Sequence, residues 1–151
     1  MTSTPTKVSD LVLTRRFDAS PERVFDAWIS QQWGEWMPPK QATGRVIEIE
    51  PRTGGSYEVA MTMPDGREVG AKGRYEIVDR PRHLVFTWLG SYNPAETRID
   101  LRFEPDGNGT LMTLTQSGFG EDETRTGYES GWGGHGGSFD KLAAALAEGR
   151  F

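Results

Sequence analysis

The chain has 151 residues, enough for one domain whose buried core needs no disulfide or metal staple. It contains no cysteine, which excludes disulfide frameworks, thiolate metal sites and cysteine nucleophiles. Its formal net charge is −5 and no run of Lys or Arg exceeds the pair Arg15-Arg16, so it lacks the electrostatic footprint of a nucleic-acid-binding protein.

Residues 1–8 read as a flexible tail, since Met1 to Lys7 has no apolar stretch and is no signal peptide. Residues 9–149 read as a single domain. No apolar segment approaches the roughly 20 residues needed to span a bilayer. Together with the absence of cysteine, this fits a cytoplasmic protein.

Leu11 to Phe17 reads as a strand. Ser20-Pro21-Glu22 then supplies an N-cap, a proline suited to the first helical position and a carboxylate for the helix dipole. Val24, Phe25, Trp28 and Ile29 form the apolar stripe of the helix that follows. Trp33, Trp36 and Met37 suggest a second short helix, stopped by Pro38-Pro39.

Six more strand-like segments follow. Val46 to Glu50 alternates apolar and charged residues, and Ser56 to Met63 places Tyr57, Val59, Met61 and Met63 on one face. Pro64-Asp65-Gly66 is a hairpin signal. Gly70 to Val78 puts Gly73, Tyr75 and Ile77 on one face, and Leu84, Phe86 and Trp88 share a face of the next segment. Thr97, Ile99, Leu101 and Phe103 alternate with Arg98, Asp100, Arg102 and Glu104; Met112, Leu114 and Gln116 complete the dry side. Short turns between alternating strands indicate an antiparallel meander with one face to be covered.

The cover comes from the last segment. After Glu121-Asp122-Glu123, the residues Tyr128, Trp132, His135, Phe139, Leu142 and Leu146 recur at steps of three and four, one apolar stripe of a long helix. Gly127, Gly131, Gly133, Gly134, Gly136 and Gly137 oppose that helix. At about 0.8–1 kcal/mol each, the group costs on the order of 5 kcal/mol relative to alanine. The expectation is a helix whose N-terminal half packs closely or stays mobile, with the missing side chains leaving room against the sheet.

The same residues resemble a known family. Arg15-Arg16-Phe17-Asp18-Ala19-Ser20-Pro21-Glu22-Arg23-Val24-Phe25-Asp26-Ala27-Trp28 is similar to the opening of the activator of heat-shock protein 90 ATPase homologue family, in the Bet v 1-like, START-related SRPBCC superfamily. Gly54-Gly55-Ser56-Tyr57, Pro64-Asp65-Gly66, Arg82 to Trp88, Leu111 to Gln116, and Gly131-Trp132 followed by Phe139-Asp140-Lys141-Leu142 match in order. The resemblance covers nearly everything after residue 10. Gly133 to Gly137 is richer in glycine than the family's usual pattern. The resemblance implies an α+β helix-grip fold: a curved seven-stranded antiparallel sheet around a long C-terminal helix, with two short helices near the N-terminus. It also implies a deep cavity for small hydrophobic molecules.

The ligand-binding candidates are Trp36, Tyr57, Met61, Met63, Tyr75, Trp88, Gln116, Trp132, His135 and Phe139. Large aromatic side chains in a modest core leave gaps between rings. His135 is the one catalytic candidate, a proton-transfer group in an apolar pocket; a buried histidine with one hydrogen bond is the favoured, plainer reading. Gln116, polar on a dry face, needs a partner in His135, water or ligand. His83 is expected to be solvated beside its turn. No metal site and no cofactor is expected, with two histidines far apart and no dense carboxylate cluster.

Binding of a small hydrophobic molecule is the leading functional expectation. The alternatives are an enzyme of the same fold acting on an aromatic or polyketide-like substrate, and a chaperone-interacting domain, for which no residue speaks. A homodimer is left open.

Overall fold

The computed structural model describes residues 8–91 and 95–149. Most of the expected tail lies outside the described residues; Val8, at its end, packs against the core. The elements run β1 (Leu11–Phe17), α1 (Pro21–Trp28), α2 (Trp33–Trp36), β2 (Thr43–Ile49), β3 (Ser56–Thr62), β4 (Glu68–Asp79), β5 (His83–Gly90), β6 (Thr97–Asp106), β7 (Gly109–Ser117), α3 (Asp122–Gly133) and α4 (Ser138–Ala147). All strands join one antiparallel sheet in the order β1-β7-β6-β5-β4-β3-β2. Helices α1 and α2 carry the chain from one sheet edge to the other, so β1 closes beside β7. The curved sheet, the C-terminal helical stretch and the two short early helices make a helix-grip fold.

Local chemistry accounts for the ends of α1. The Ser20 hydroxyl accepts from the Arg23 N–H at 3.3 Å, Pro21 opens the helix and Glu22 lies in the first turn. The helix buries Val24, Phe25, Ala27 and Trp28. In β6 the alternation places Thr97, Ile99, Leu101 and Phe103 inside, and in β7 Met112, Leu114 and Gln116.

Strand β4 departs from strict alternation. Its register with β5 shifts between Tyr75 and Ile77, so Ile77 turns outward, 36% exposed, and Val78 packs inward instead. A bulge inserts one residue and reverses every later side chain.

The C-terminal stripe is broken. Helix α3 ends at Gly133 and α4 begins at Ser138. Gly136 has φ +71°, a left-handed conformation that ends helical continuation. Gly137 comes so close to α3 that a Cβ would lie 2.7 Å from the Gly131 carbonyl oxygen. Asp140 secures the turn: one oxygen accepts from the Gly136 N–H at 2.8 Å and the other from Arg15 of β1 at 2.8 Å. These bonds, Arg15 first, hold the Asp140 carboxyl below its ordinary pKa. Tyr128 and Trp132 therefore belong to one helix, and Phe139, Leu142 and Leu146 to the next.

Trp28 stands at the centre of the core, with ring centroids 4.7 Å from Trp36, 5.6 Å from Trp132, 6.3 Å from Trp33 and Phe86, and 6.4 Å from Phe139. It joins α1, α2, β5, α3 and α4. Among the described residues no helix is long and apolar enough to cross a membrane.

Candidate functional site

A cavity of about 600 Å³ lies between α3 and the concave side of the sheet. The sheet wall is built by Met61, Val69 and Trp88, with Met63 just past the end of β3. Helix α3 supplies Trp132 and Tyr128, and the segment after α2 supplies Met37 and Pro39. Gly127 and Gly131, one helical turn apart, face the same space. A Cβ on Gly127 would meet nothing within 4 Å, so the glycine leaves room there. Arg67, Glu121 and Thr124 mark the open side; the first two are exposed.

Hydrogen bonds hold α3 at this distance from the sheet. The Trp88 indole N–H donates to the Tyr128 hydroxyl at 2.8 Å. Deeper in, the Trp132 indole donates to Gln116 Oε1 at 3.0 Å. Gln116 Nε2 donates to Thr97 Oγ1 at 2.9 Å, and that hydroxyl donates to the Trp88 carbonyl at 3.3 Å. Gln116 is fully buried and both ends of its amide are satisfied. The Ser138 hydroxyl, at the start of α4, donates to the Met37 carbonyl at 2.6 Å. The Lys141 ammonium donates to the carbonyls of Pro38 and Ala42 at 2.5 and 3.1 Å, and burial lowers its pKa.

Of the sequence candidates, Met61, Met63, Trp88 and Trp132 line this cavity. Trp36, Tyr57, Tyr75, Gln116 and Phe139 lie behind its wall, in the core. The Trp36 indole donates to the Ala27 carbonyl at 3.0 Å, and the Tyr57 hydroxyl to the Thr87 carbonyl at 2.6 Å. Phe139 stacks on Trp132 with centroids 5.8 Å apart.

His135 is a correction. It sits in the turn between α3 and α4, exposed and away from the cavity. The step that placed it on the stripe presumes unbroken helix, and the glycine turn removes that premise. Of the partners considered for Gln116, His135 is not the one: Trp132 and Thr97 satisfy its amide. His83 also differs from expectation: half-buried, its Nε2 lies 3.0 Å from Asp100 Oδ1 on the neighbouring strand.

Met37, Pro39, Val69 and Tyr128 were missed as wall residues, whereas Gly127 and Gly131 leave room against the sheet as expected of their missing side chains. The i, i+4 spacing of Gly127 and Gly131, in register with Tyr128 and Trp132, was the available signal. Among the described residues no group of three or more His, Asp or Glu side chains could hold a metal ion.

Tyr75 carries a different consequence. Its hydroxyl is buried with no hydrogen-bond partner among the described residues, and burial raises its pKa above the ordinary phenol value. The unfolded chain therefore releases this proton first as pH rises. The stability tied to the neutral phenol is complete below the unfolded pKa and is lost as pH climbs toward the folded one. Tyr75→Phe is expected to stabilise the domain by about 1 kcal/mol at neutral pH, by removing an unsatisfied group, and to move alkaline unfolding to higher pH. Urea titrations at neutral and alkaline pH test both; a loss of stability at neutral pH would show that the hydroxyl is satisfied.

The family model described as Activator of Hsp90 ATPase homolog 1-like protein matches residues 18–147. The AHSA1 protein of Silicibacter pomeroyi is 28% identical, over 93% of this chain and 99% of that one, with a TM-score of 0.78. A Chromobacterium violaceum protein is 24% identical, over 89% of this chain and 94% of its own, also with a TM-score of 0.78. DynU16, described as a putative protein in the dynemicin biosynthetic locus, shares the fold at 18% identity and a TM-score of 0.74, with 96% of this chain matching 49% of that one. No curated protein matches the chain. With the family model spanning the sequence from the end of β1 to the end of α4, the chain belongs to the Activator of Hsp90 ATPase homolog 1-like protein family.

Proposed function

We propose that the domain binds a small, mostly apolar molecule in the cavity between α3 and the sheet. The observation that carries this reading is the cavity itself: about 600 Å³, walled by Met37, Met61, Met63, Val69, Trp88 and Trp132, with few polar residues in its lining, of which Arg67 and Glu121 are exposed. Ligand sites of roughly 300–1,000 Å³ have this character, an apolar body with a few placed polar groups. The methionines are unbranched and polarisable, so they adapt to different ligand outlines.

Gly127→Phe tests the reading. The new ring enters open space and obstructs the cavity, and the helix gains about half a kcal/mol from losing a glycine. Decanol titrated against intrinsic tryptophan fluorescence should bind the wild type and bind the variant at least about tenfold more weakly, a difference of about 1.4 kcal/mol. The melting temperature of the variant should not fall. Equal binding by both proteins would place decanol outside the cavity and remove the support for this function.

A further inference from the structure

We propose that the preferred ligand is a lipophilic cation, an apolar body ending in an ammonium group. This rests on the binding reading above and adds the charge of the ligand's polar end.

Among the described residues two charged side chains reach the cavity, Arg67 and Glu121. They are not equivalent. Arg67 is engaged by Asp65 in the same hairpin: its Nε donates to one carboxylate oxygen at 2.7 Å and its backbone N–H to the other at 3.0 Å. Its charge is locally compensated. Glu121 forms no ion pair or side-chain hydrogen bond among the described residues, and although it is the N-cap of α3 its side chain does not cap the helix. Asp122 and Glu123, both exposed, follow it in the first turn. The uncompensated charge at the mouth is negative, on a chain whose formal net charge is −5. A carboxylate-headed ligand would meet that charge directly.

The aromatic wall points the same way. Trp88 and Trp132 meet at 67° with centroids 6.1 Å apart, and the Trp88 N–H is committed to the Tyr128 hydroxyl. Three electron-rich rings from two elements thus border one space. Ring faces attract a cation by their quadrupole, Trp most strongly, and the attraction grows where water is excluded. Rings and Glu121 together favour an ammonium group over a neutral or anionic group on the same apolar body.

Decyltrimethylammonium, decanol and decanoate share a ten-carbon chain and differ in head charge. Each would be titrated below its micelle concentration at low ionic strength, by calorimetry and tryptophan fluorescence. The expected order is cation, then alcohol, then carboxylate, with the cation tighter than the alcohol by about fivefold, the scale of an exposed cation–π contact plus an exposed charge pair. Glu121→Gln should reduce that advantage about threefold. Gly127→Phe should weaken all three.

If decanol binds as tightly as the cation, or decanoate most tightly, the cation preference is wrong while the cavity remains a binding site. If the cation binds Gly127→Phe as well as wild type, it is adsorbing to the acidic surface and the preference is again overturned. If no probe binds the wild-type protein, the binding function itself fails along with the preference.

Discussion

Trp28→Ala is expected to remove about 4 kcal/mol of folding stability, within the 3–5 kcal/mol range for deleting a large buried aromatic side chain. Trp28 is 1% exposed and contacts rings from α2, β5, α3 and α4. Its removal leaves a void that no single neighbour can fill, because those neighbours are themselves rigid rings in contact with further rings. Trp36 and Trp132 would lose an edge or tilted contact as well as apolar burial. For a domain whose whole stability is about 5–15 kcal/mol, that is a large share.

Trp28→Phe should cost much less. The Trp28 indole N–H has no hydrogen-bond partner among the described residues, so phenylalanine removes an unsatisfied group along with part of the ring. Urea titrations of the two variants should separate them by about 2 kcal/mol. A loss below about 1.5 kcal/mol for Trp28→Ala would mean that the surrounding rings collapse into the void, contrary to the rigid ring cluster described above.

Gln116→Leu is expected to cost about 2–3 kcal/mol, though it replaces a buried polar residue with an apolar one of similar size. The amide of Gln116 joins the Trp132 indole on α3 to Thr97 on β6. Leucine leaves the Trp132 N–H buried and unpaired, and a stranded buried donor costs more than the average hydrogen bond contributes. The loss falls on the tether that sets the position of α3, so hydrogen exchange in α3 should quicken relative to the sheet.

Adding Trp132→Phe removes the stranded donor. The double variant should lose at least about 1 kcal/mol less than the sum of the two single losses, the coupling expected of a shared hydrogen bond. Strictly additive losses would show that the Trp132–Gln116 bond contributes nothing specific.

Much of the scaffold can be read along the chain. Ser20-Pro21-Glu22 announces α1 because capping is a contact between residues three apart, and the observed bond from Arg23 to Ser20 spans that distance. The period of two in β6 and β7 sorts Ile99, Leu101, Met112 and Leu114 inward because a pleated strand sends alternate side chains to opposite faces. Ile77 shows the limit of that rule. The same alternation assigns it to the core, but the shift in pairing with β5 turns it outward, and pairing depends on residues far along the chain.

His135 and the cavity mark the boundary for function. The stripe from Tyr128 to Leu146 establishes that this segment covers the sheet, and the cost of its glycines signals a weak point. Neither says where the break falls. That depends on Arg15 of β1, which meets Asp140 beside the turn, and on the close approach of Gly137 to Gly131. Whether an aromatic side chain is wall or filling is likewise a matter of tethers. Trp88 and Trp132 border the cavity because Tyr128 and Gln116 hold α3 beside the sheet, whereas Tyr57 and Phe139, just as apolar in sequence, lie behind it. Periodicity and capping are local and survive in the unpaired chain; an empty volume exists only between surfaces that folding brings together, so its wall could be named only once α3 was in place.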